Sequence, residues 1–145
     1  MTYVMQMSTD QDIINTQLNA AWNPITARYS WLQVSGMNLG IPAGATIVVI
    51  AHGDANEIGN AQPGTVDIDA STFLALIQGN MAQGAVPAAI YISTCGPGIP
   101  QFAAAVRMAA QQNRIWANNT RIFGHSDPIS CPVPAPNSQA WFEIF

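Results

Sequence analysis

The chain contains no lysine. Its basic residues are four arginines, Arg28, Arg107, Arg114 and Arg121, and charged side chains occupy only 8% of its 145 positions, against about 25% in an average soluble domain. With a net charge of −4 and no basic stripe, the chain lacks the electrostatic footprint of a nucleic-acid binder. Lysine depletion fits a protein that must escape ubiquitin in a host cytosol, and it fits compositional drift equally well. Cysteine is scarce too. Cys95 and Cys131 do not make a disulfide framework. No apolar run approaches the ~18 residues of a membrane span. The opening residues Met1 to Asp10 have neither a basic start nor a long apolar core, so they do not read as a signal peptide. The expectation is a cytoplasmic protein or one exported by a leaderless route.

What is present is apolar. Hydrophobic residues make up 49% of the chain, which excludes a disordered protein, and the length suits one domain, 1–145, with a real core. Two stretches dominate. Ala45 to Asp54 reads A-T-I-V-V-I-A-H-G-D, and Val86 to Gly98 reads V-P-A-A-I-Y-I-S-T-C-G-P-G. Each begins as an unbroken, largely β-branched run and stops at a reactive side chain followed by glycine. Runs without polar alternation are strands buried on both faces, as in a parallel sheet covered by helices.

Around these strands the chain alternates. Thr2–Met7 reads as a strand, and Asp10–Trp22 as a helix capped by Ser8, Thr9 or Asp10. Arg28–Val34 reads as a strand, and Ser35–Ala45 as loop. Gly53–Val66, with little periodicity, reads as a mobile loop over the site. A helix capped by Asp69 or Ser71 carries Phe73, Leu74, Ile77 and Met81, with Gly84 as its stop. The second central strand, Ala88–Thr94, precedes an Ala-rich helix, Gln101–Gln112, on which Arg107 and Arg114 mark a solvated face. Arg121–Gly124 is a third short strand, and Ala140–Phe145 an added edge strand. The core spans 46–128 and a proline-rich tail 128–145. This β-helix-β-helix-β order predicts a small three-layer α/β sandwich with a mainly parallel central sheet.

Ligands in open α/β sheets bind beyond the carboxyl ends of the strands, and His52 and Cys95 both end strands. Neighbouring parallel strands would bring imidazole and thiol to one rim, the arrangement a Cys–His nucleophile needs. Gly96 and Gly98 allow a tight turn, and the helix that follows favours a thiolate through its dipole. His52 would act as general base and then acid, and the N–H groups of Gly53 and Cys95 would hold a developing oxyanion. The ordinary alternatives are a small buried thiol and a neutral core histidine. His125 also ends a strand and could replace His52, but lies beyond the cysteine strand in the expected order. A zinc set of His52, His125 and Cys95 matches no common spacing. An α/β-hydrolase lacks its G-x-S-x-G elbow here.

The succession of apolar strand–His52-Gly53, crossover helix, apolar strand–Cys95 resembles the caspase-like cysteine peptidases: caspases, legumain, clostripain, gingipains and the self-processing domains of large bacterial toxins. Caspases place their His about 50 residues before the Cys. The Cys95-Gly96-Pro97-Gly98 spacing is nearer the legumain and clostripain type, and V-D-I-D-A-S-T-F-L-A-L-I resembles the helix between His and Cys in the toxin domains. The resemblance covers residues 46–128. It implies a caspase-like sheet and peptide-bond hydrolysis through an acyl-enzyme, with Cys95 as nucleophile and His52 as base. It implies no metal and a protein or peptide substrate. Inositol hexakisphosphate activates the toxin domains through a basic pocket, but four arginines and no lysine make no such pocket, so no cofactor is expected. Asp54 would orient His52 or attract a basic substrate side chain, unless it is a solvated loop carboxylate. Ser126 and Asp127 would line the pocket for the residue before the scissile bond, where an acid favours Arg or Lys. A regulatory or immunity protein is a further expected partner. An inactive caspase-like binding module, or a Cys–His toxin that deamidates or transfers acyl groups, would carry the same residues.

Overall fold

Strand β3 (Thr46–Gly53) is the axis of the sheet, and its composition explains why. From Ile47 to Ala51 every side chain is completely buried. Alternation sends Ile47, Val49 and Ala51 into one apolar cluster and Val48 and Ile50 into another on the opposite face. A strand with no solvated face requires covering layers on both sides and hydrogen-bonded neighbours at both edges. In the computed structural model, which describes residues 1–94, 98–116, 120–125 and 132–144, β3 has both.

Its neighbours are β1 (Thr2–Gln6) and β6 (Ala89–Thr94), both parallel to it, with Val4 opposite Val48 and Ile92 opposite Val49. Outside them lie β2 (Ile25–Tyr29), parallel to β1, and β7 (Arg121–Gly124), parallel to β6. Strand β8 (Phe142–Ile144) closes the far edge antiparallel to β7. The order is β2-β1-β3-β6-β7-β8, a mostly parallel mixed sheet, and the α/β class expected from the sequence holds. Arg121 grips Glu143 on β8 through two hydrogen bonds, Nε–Oε2 at 3.0 Å and Nη2–Oε1 at 2.6 Å. These hold the Glu143 carboxyl below the usual range.

One face carries α2 (Trp31–Gly36), α3 (Ala70–Asn80) and α4 (Ile99–Gln112). Phe73 of α3 and Phe102 of α4 meet edge to face, with centroids 5.6 Å apart. The other layer is thinner than a helical one. Ile13 of the single-turn α1 (Gln11–Ile14), Trp22 of a 3₁₀ turn (Ala20–Trp22), Val133 and Trp141 cover it. Among the described residues no helix is long and apolar enough to cross a membrane.

Four expectations fail locally. The helix expected over Asp10–Trp22 stops at Ile14. Leu18 bridges to Val133, and the Trp22 indole donates to the Pro134 carbonyl at 2.7 Å, so tertiary pairing overrides the periodicity. The strand expected over Arg28–Val34 lies earlier, at Ile25–Tyr29. Ser30 and Gln33 form a reciprocal capping box that starts α2 instead. Gly84 does not end α3, which stops at Asn80. Arg107 is buried rather than solvated: its Nη2 donates to the Thr120 carbonyl at 2.7 Å and its Nη1 to that of Trp116 at 3.3 Å.

The Phe73–Phe102 contact joins the two longest helices over β3. Phe73→Ala therefore costs about 3–5 kcal/mol, measured as the shift in urea midpoint at unchanged slope. A loss below about 1 kcal/mol would show that this contact does not hold the layer.

Candidate functional site

The site begins where β3 changes partners. Through Ala51 it pairs in parallel with β6, Ala51 lying opposite Thr94. The next two residues turn to a different neighbour: His52 pairs antiparallel with Gly59, and Gly53 with Ile58, both on β4 (Glu57–Gly59). Gly53 is thus the last residue of β3, not the first of a loop. The stretch 53–66 expected as a mobile loop instead leads through β4, which pairs in turn with β5 (Asp67–Asp69). These strands are too short to show a period in sequence. Their geometry rests on Gly59, which has φ +145°, and a Cβ there would lie 2.0 Å from the Val66 carbonyl oxygen. Only glycine accepts that conformation and that contact.

His52 alternates to the same face as Val48 and Ile50, toward α1. Its Nε2 is 2.8 Å from Asp12 Oδ2 and 3.0 Å from Asp12 Oδ1, and 3.5 Å from Asp10 Oδ2. Neither aspartate was marked as functional by sequence reasoning. Asp10 stands at the N-cap of α1 yet makes no side-chain cap bond. Its carboxylate instead accepts the Ala61 N–H at 2.8 Å, while Asp12 Oδ1 accepts the Ile13 N–H at 3.0 Å. Asn60 ties the two segments together. Its Oδ1 accepts the Ser8 hydroxyl and the Thr9 N–H, and its Nδ2 donates to Thr9 Oγ1 at 2.8 Å. The one sequence signal for this pair is the Asp-x-Asp spacing at the head of a helix that proves to be a single turn.

Beside His52 opens a cleft of about 250 Å³ lined by Gly53, Asp54, Glu57, Asn60 and Asp67. Asp54 serves the turn between β3 and β4, its Oδ1 accepting the N–H groups of Asn56 at 2.8 Å and Glu57 at 3.0 Å. It is Asp12 that meets His52 Nε2. Repulsion from Asp67, with smaller contributions from burial and from Asp54 and Asp69, raises the Glu57 carboxyl above its ordinary value. Asp69 goes the other way. It caps α3, and the Thr72 N–H bonded to its carboxylate holds its pKa down.

Of the other sequence-predicted site residues, Cys95, Ser126 and Asp127 lie outside the described residues, as does Cys131. Gly98, three positions after Cys95, packs so closely on the turn after β3 that a Cβ would lie 2.5 Å from the Ala55 nitrogen. The described residues on either side of Cys95 thus adjoin the end of β3: Thr94 lies beside Ala51 and Gly98 beside Ala55. His125 does not share that position. It is 2% exposed, its Nε2 is 2.7 Å from Ser93 Oγ, and Trp141 meets its ring edge to face. Among the described residues, the group of histidine and carboxylate side chains close enough to share one ion is Asp10, Asp12 and His52. Comparison with protein-family models, with curated proteins and with solved structures yields no match to this chain.

The acidic cleft makes a linkage prediction. A carboxyl whose folded pKa is raised binds protons more readily when folded, so its contribution to stability falls as pH rises through the interval above the ordinary Glu value. Glu57→Gln removes that fall. Its melting temperature should exceed that of the parent at neutral pH and low salt, with the gap closing in high salt and in acid. A Glu57→Gln protein that melts lower in low salt at neutral pH would show that Glu57 is not held against repulsion.

Proposed function

We propose that the chain is a cysteine-dependent peptidase of the caspase-like type, in which Cys95 is the nucleophile and His52 its proton carrier. The observation that carries the reading is the carboxylate–imidazole pair of Asp12 and His52, 2.8 Å apart, at the carboxyl end of β3. The strand beside it, β6, ends at Thr94, immediately before Cys95 in the chain. A nucleophile, a base and a third group that orients the base form the recurring logic of covalent hydrolysis, and in this reading Asp12 takes the orienting place that the sequence offered to Asp54. The mainly parallel sheet, with the site beyond its strand ends, agrees with the resemblance.

In this reading the Cys95 thiolate attacks the scissile carbonyl carbon. The N–H groups of Gly53 and Cys95 stabilise the oxyanion. Protonated His52, held by Asp12, gives its proton to the leaving amine. Water then enters, loses a proton to His52 and releases the acyl group. Asp54, Glu57 and Asp67 give the cleft a negative lining, which favours a cationic side chain in the substrate. Asp127 would act in the same direction.

The test is iodoacetamide labelling across pH, with Cys95 and Cys131 resolved by mass spectrometry. Cys95 should alkylate well below the ~8.5 of a free thiol, more slowly in His52→Ala and to an intermediate degree in Asp12→Asn. Hydrolysis of Arg- or Lys-containing peptides should fall by about 10²–10⁴-fold in His52→Ala. A Cys95 no faster than Cys131 would overturn the peptidase reading in favour of a binding module. A glutamine deamidated in an uncut chain would replace hydrolysis of the backbone by deamidation.

A further inference from the structure

Asp10, Asp12 and His52 bring three ligand atoms, one from each side chain, within 4.8 Å of one another. They come from two parts of the chain: the carboxylates from the segment after β1, the imidazole from the end of β3, 40 positions beyond Asp12. This is a mixed donor set, one nitrogen and two carboxylates. Two carboxylates facing one imidazole leave an excess of negative charge even when the ring is protonated. Asp54, Glu57 and Asp67 in the adjoining cleft deepen it. Among the described residues, salt bridges to these two aspartates come from His52. A cation of higher charge balances the cluster better than a proton does.

The geometry suits a first-row transition ion. At metal–ligand lengths of about 2.0–2.2 Å, two ligands of a tetrahedral ion stand about 3.4 Å apart. His52 Nε2 is 2.8 Å from the nearer oxygen of Asp12 and 3.5 Å from that of Asp10, close to that spacing. The ligands are also oriented from behind. Asp10 accepts the Ala61 N–H and Asp12 the Ile13 N–H, the kind of outer contact that fixes metal-binding carboxylates. The side chains are 30%, 57% and 17% exposed for Asp10, Asp12 and His52, so an ion can enter and keep water on its remaining positions.

We propose that Asp10, Asp12 and His52 form a binding site for a divalent transition-metal ion of the Zn²⁺ class, with solvent completing its coordination. An imidazole ligand selects against Ca²⁺ and Mg²⁺, which take oxygen donors. The site stands on these three side chains alone. Its consequence rests on the proposed dyad: an ion on Nε2 prevents His52 from carrying a proton and displaces Asp12 as its orienting group, so metal would switch the peptidase off.

The experiment is titration of chelator-treated full-length protein with Zn²⁺ by calorimetry, and with Co²⁺ by visible absorption. One ion should bind per chain, with a Co²⁺ spectrum free of a thiolate charge-transfer band, and excess Mg²⁺ should not displace it. Loss of a direct ligand in His52→Gln or Asp12→Asn should weaken binding by more than the about 10–100-fold typical of outer contacts. Glu143→Gln, which removes an acid on β8 outside both the cluster and the cleft, should keep the affinity, and the circular dichroism and melting of each metal-free variant check its fold. Absence of binding, a thiolate band, or equal affinity in folded His52→Gln would overturn the site. Labelling of Cys95 with and without Zn²⁺ reads the consequence separately. Binding confirmed by titration, with Cys95 labelling slow in both conditions, would leave the site standing and remove the dyad.

Discussion

The burial of β3 on both faces is the constraint from which the rest of the molecule follows. A run of five residues with no accessible surface cannot stand at an edge or face water. It therefore demands β1 and β6 as hydrogen-bonded neighbours, helices α2, α3 and α4 over one face, and an apolar cover over the other. That second cover is built from pieces far apart in sequence. Trp22 meets Tyr91 edge to face at 5.0 Å, and Trp141 meets the same ring at 4.9 Å. Tyr91 in turn stacks on Phe123 at 4.4 Å. An aromatic cluster takes the place of a helix. Aromatic pairs of this geometry add about 0.5–1.5 kcal/mol each beyond the area they bury, which lets a thin layer seal a wide sheet.

Burial ends abruptly at His52, and the scarce charge of the chain gathers there. Acidic residues number eight. Asp10, Asp12, Asp54, Glu57 and Asp67 surround the His52 cleft, and Asp69 pairs with Glu57 across the β4–β5 ladder. Three of the four arginines are bonded to other groups. Arg28 donates to the Ile13 and Ile14 carbonyls at the end of α1, Arg107 is committed to buried carbonyls, and Arg121 is bound to Glu143. The result is a concentration of carboxylates, and with it a negative field, at the carboxyl end of β3. Such a field in a low-charge protein concentrates cations at one place, whether the cation is a substrate side chain or a metal ion.

The parts legible in the sequence are those whose periodicity and burial agree. The Thr46–Ala51 and Ala88–Thr94 runs and the Ala-rich helix appear within a residue or two of their expected limits, and the helix of Phe73, Leu74 and Ile77 starts from its expected Asp69 cap but stops short of Met81 and Gly84. The parts that escaped are set by distant partners or by very short pairings. The apolar spacing of Ile13, Ile14, Leu18, Ala21 and Trp22 suits a helix, but Trp22 reaches Pro134 112 positions away and α1 is cut to one turn. Asp10 and Asp12 escaped for the same kind of reason: they read as cap and first-turn residues, and it is the tie of Ser8 and Thr9 to Asn60, more than fifty positions on, that accompanies their approach to His52. The β4–β5 pairing was invisible for a related reason: three-residue strands carry no period, and Gly59 reads as a loop glycine until Val66 is seen against it.

The two histidines show how environment, more than residue type, divides chemical roles. Both follow or end strands of one sheet, and in sequence only the expected strand order favours His52. His125 is sealed under Trp141 and hydrogen-bonded to Ser93, with 2% of its surface exposed. Its contacts with Ser93 and Trp141 join the end of β7 to β6 and to the tail. His52 has a side chain 17% exposed, an open cleft beside it and carboxylates on Nε2. The same three features that suit a ring to exchanging protons suit it to holding a metal ion, because each requires solvent access and negative charge at one nitrogen. Proton and metal therefore compete for Nε2, and the Asp10–Asp12 pair sets the terms of that competition.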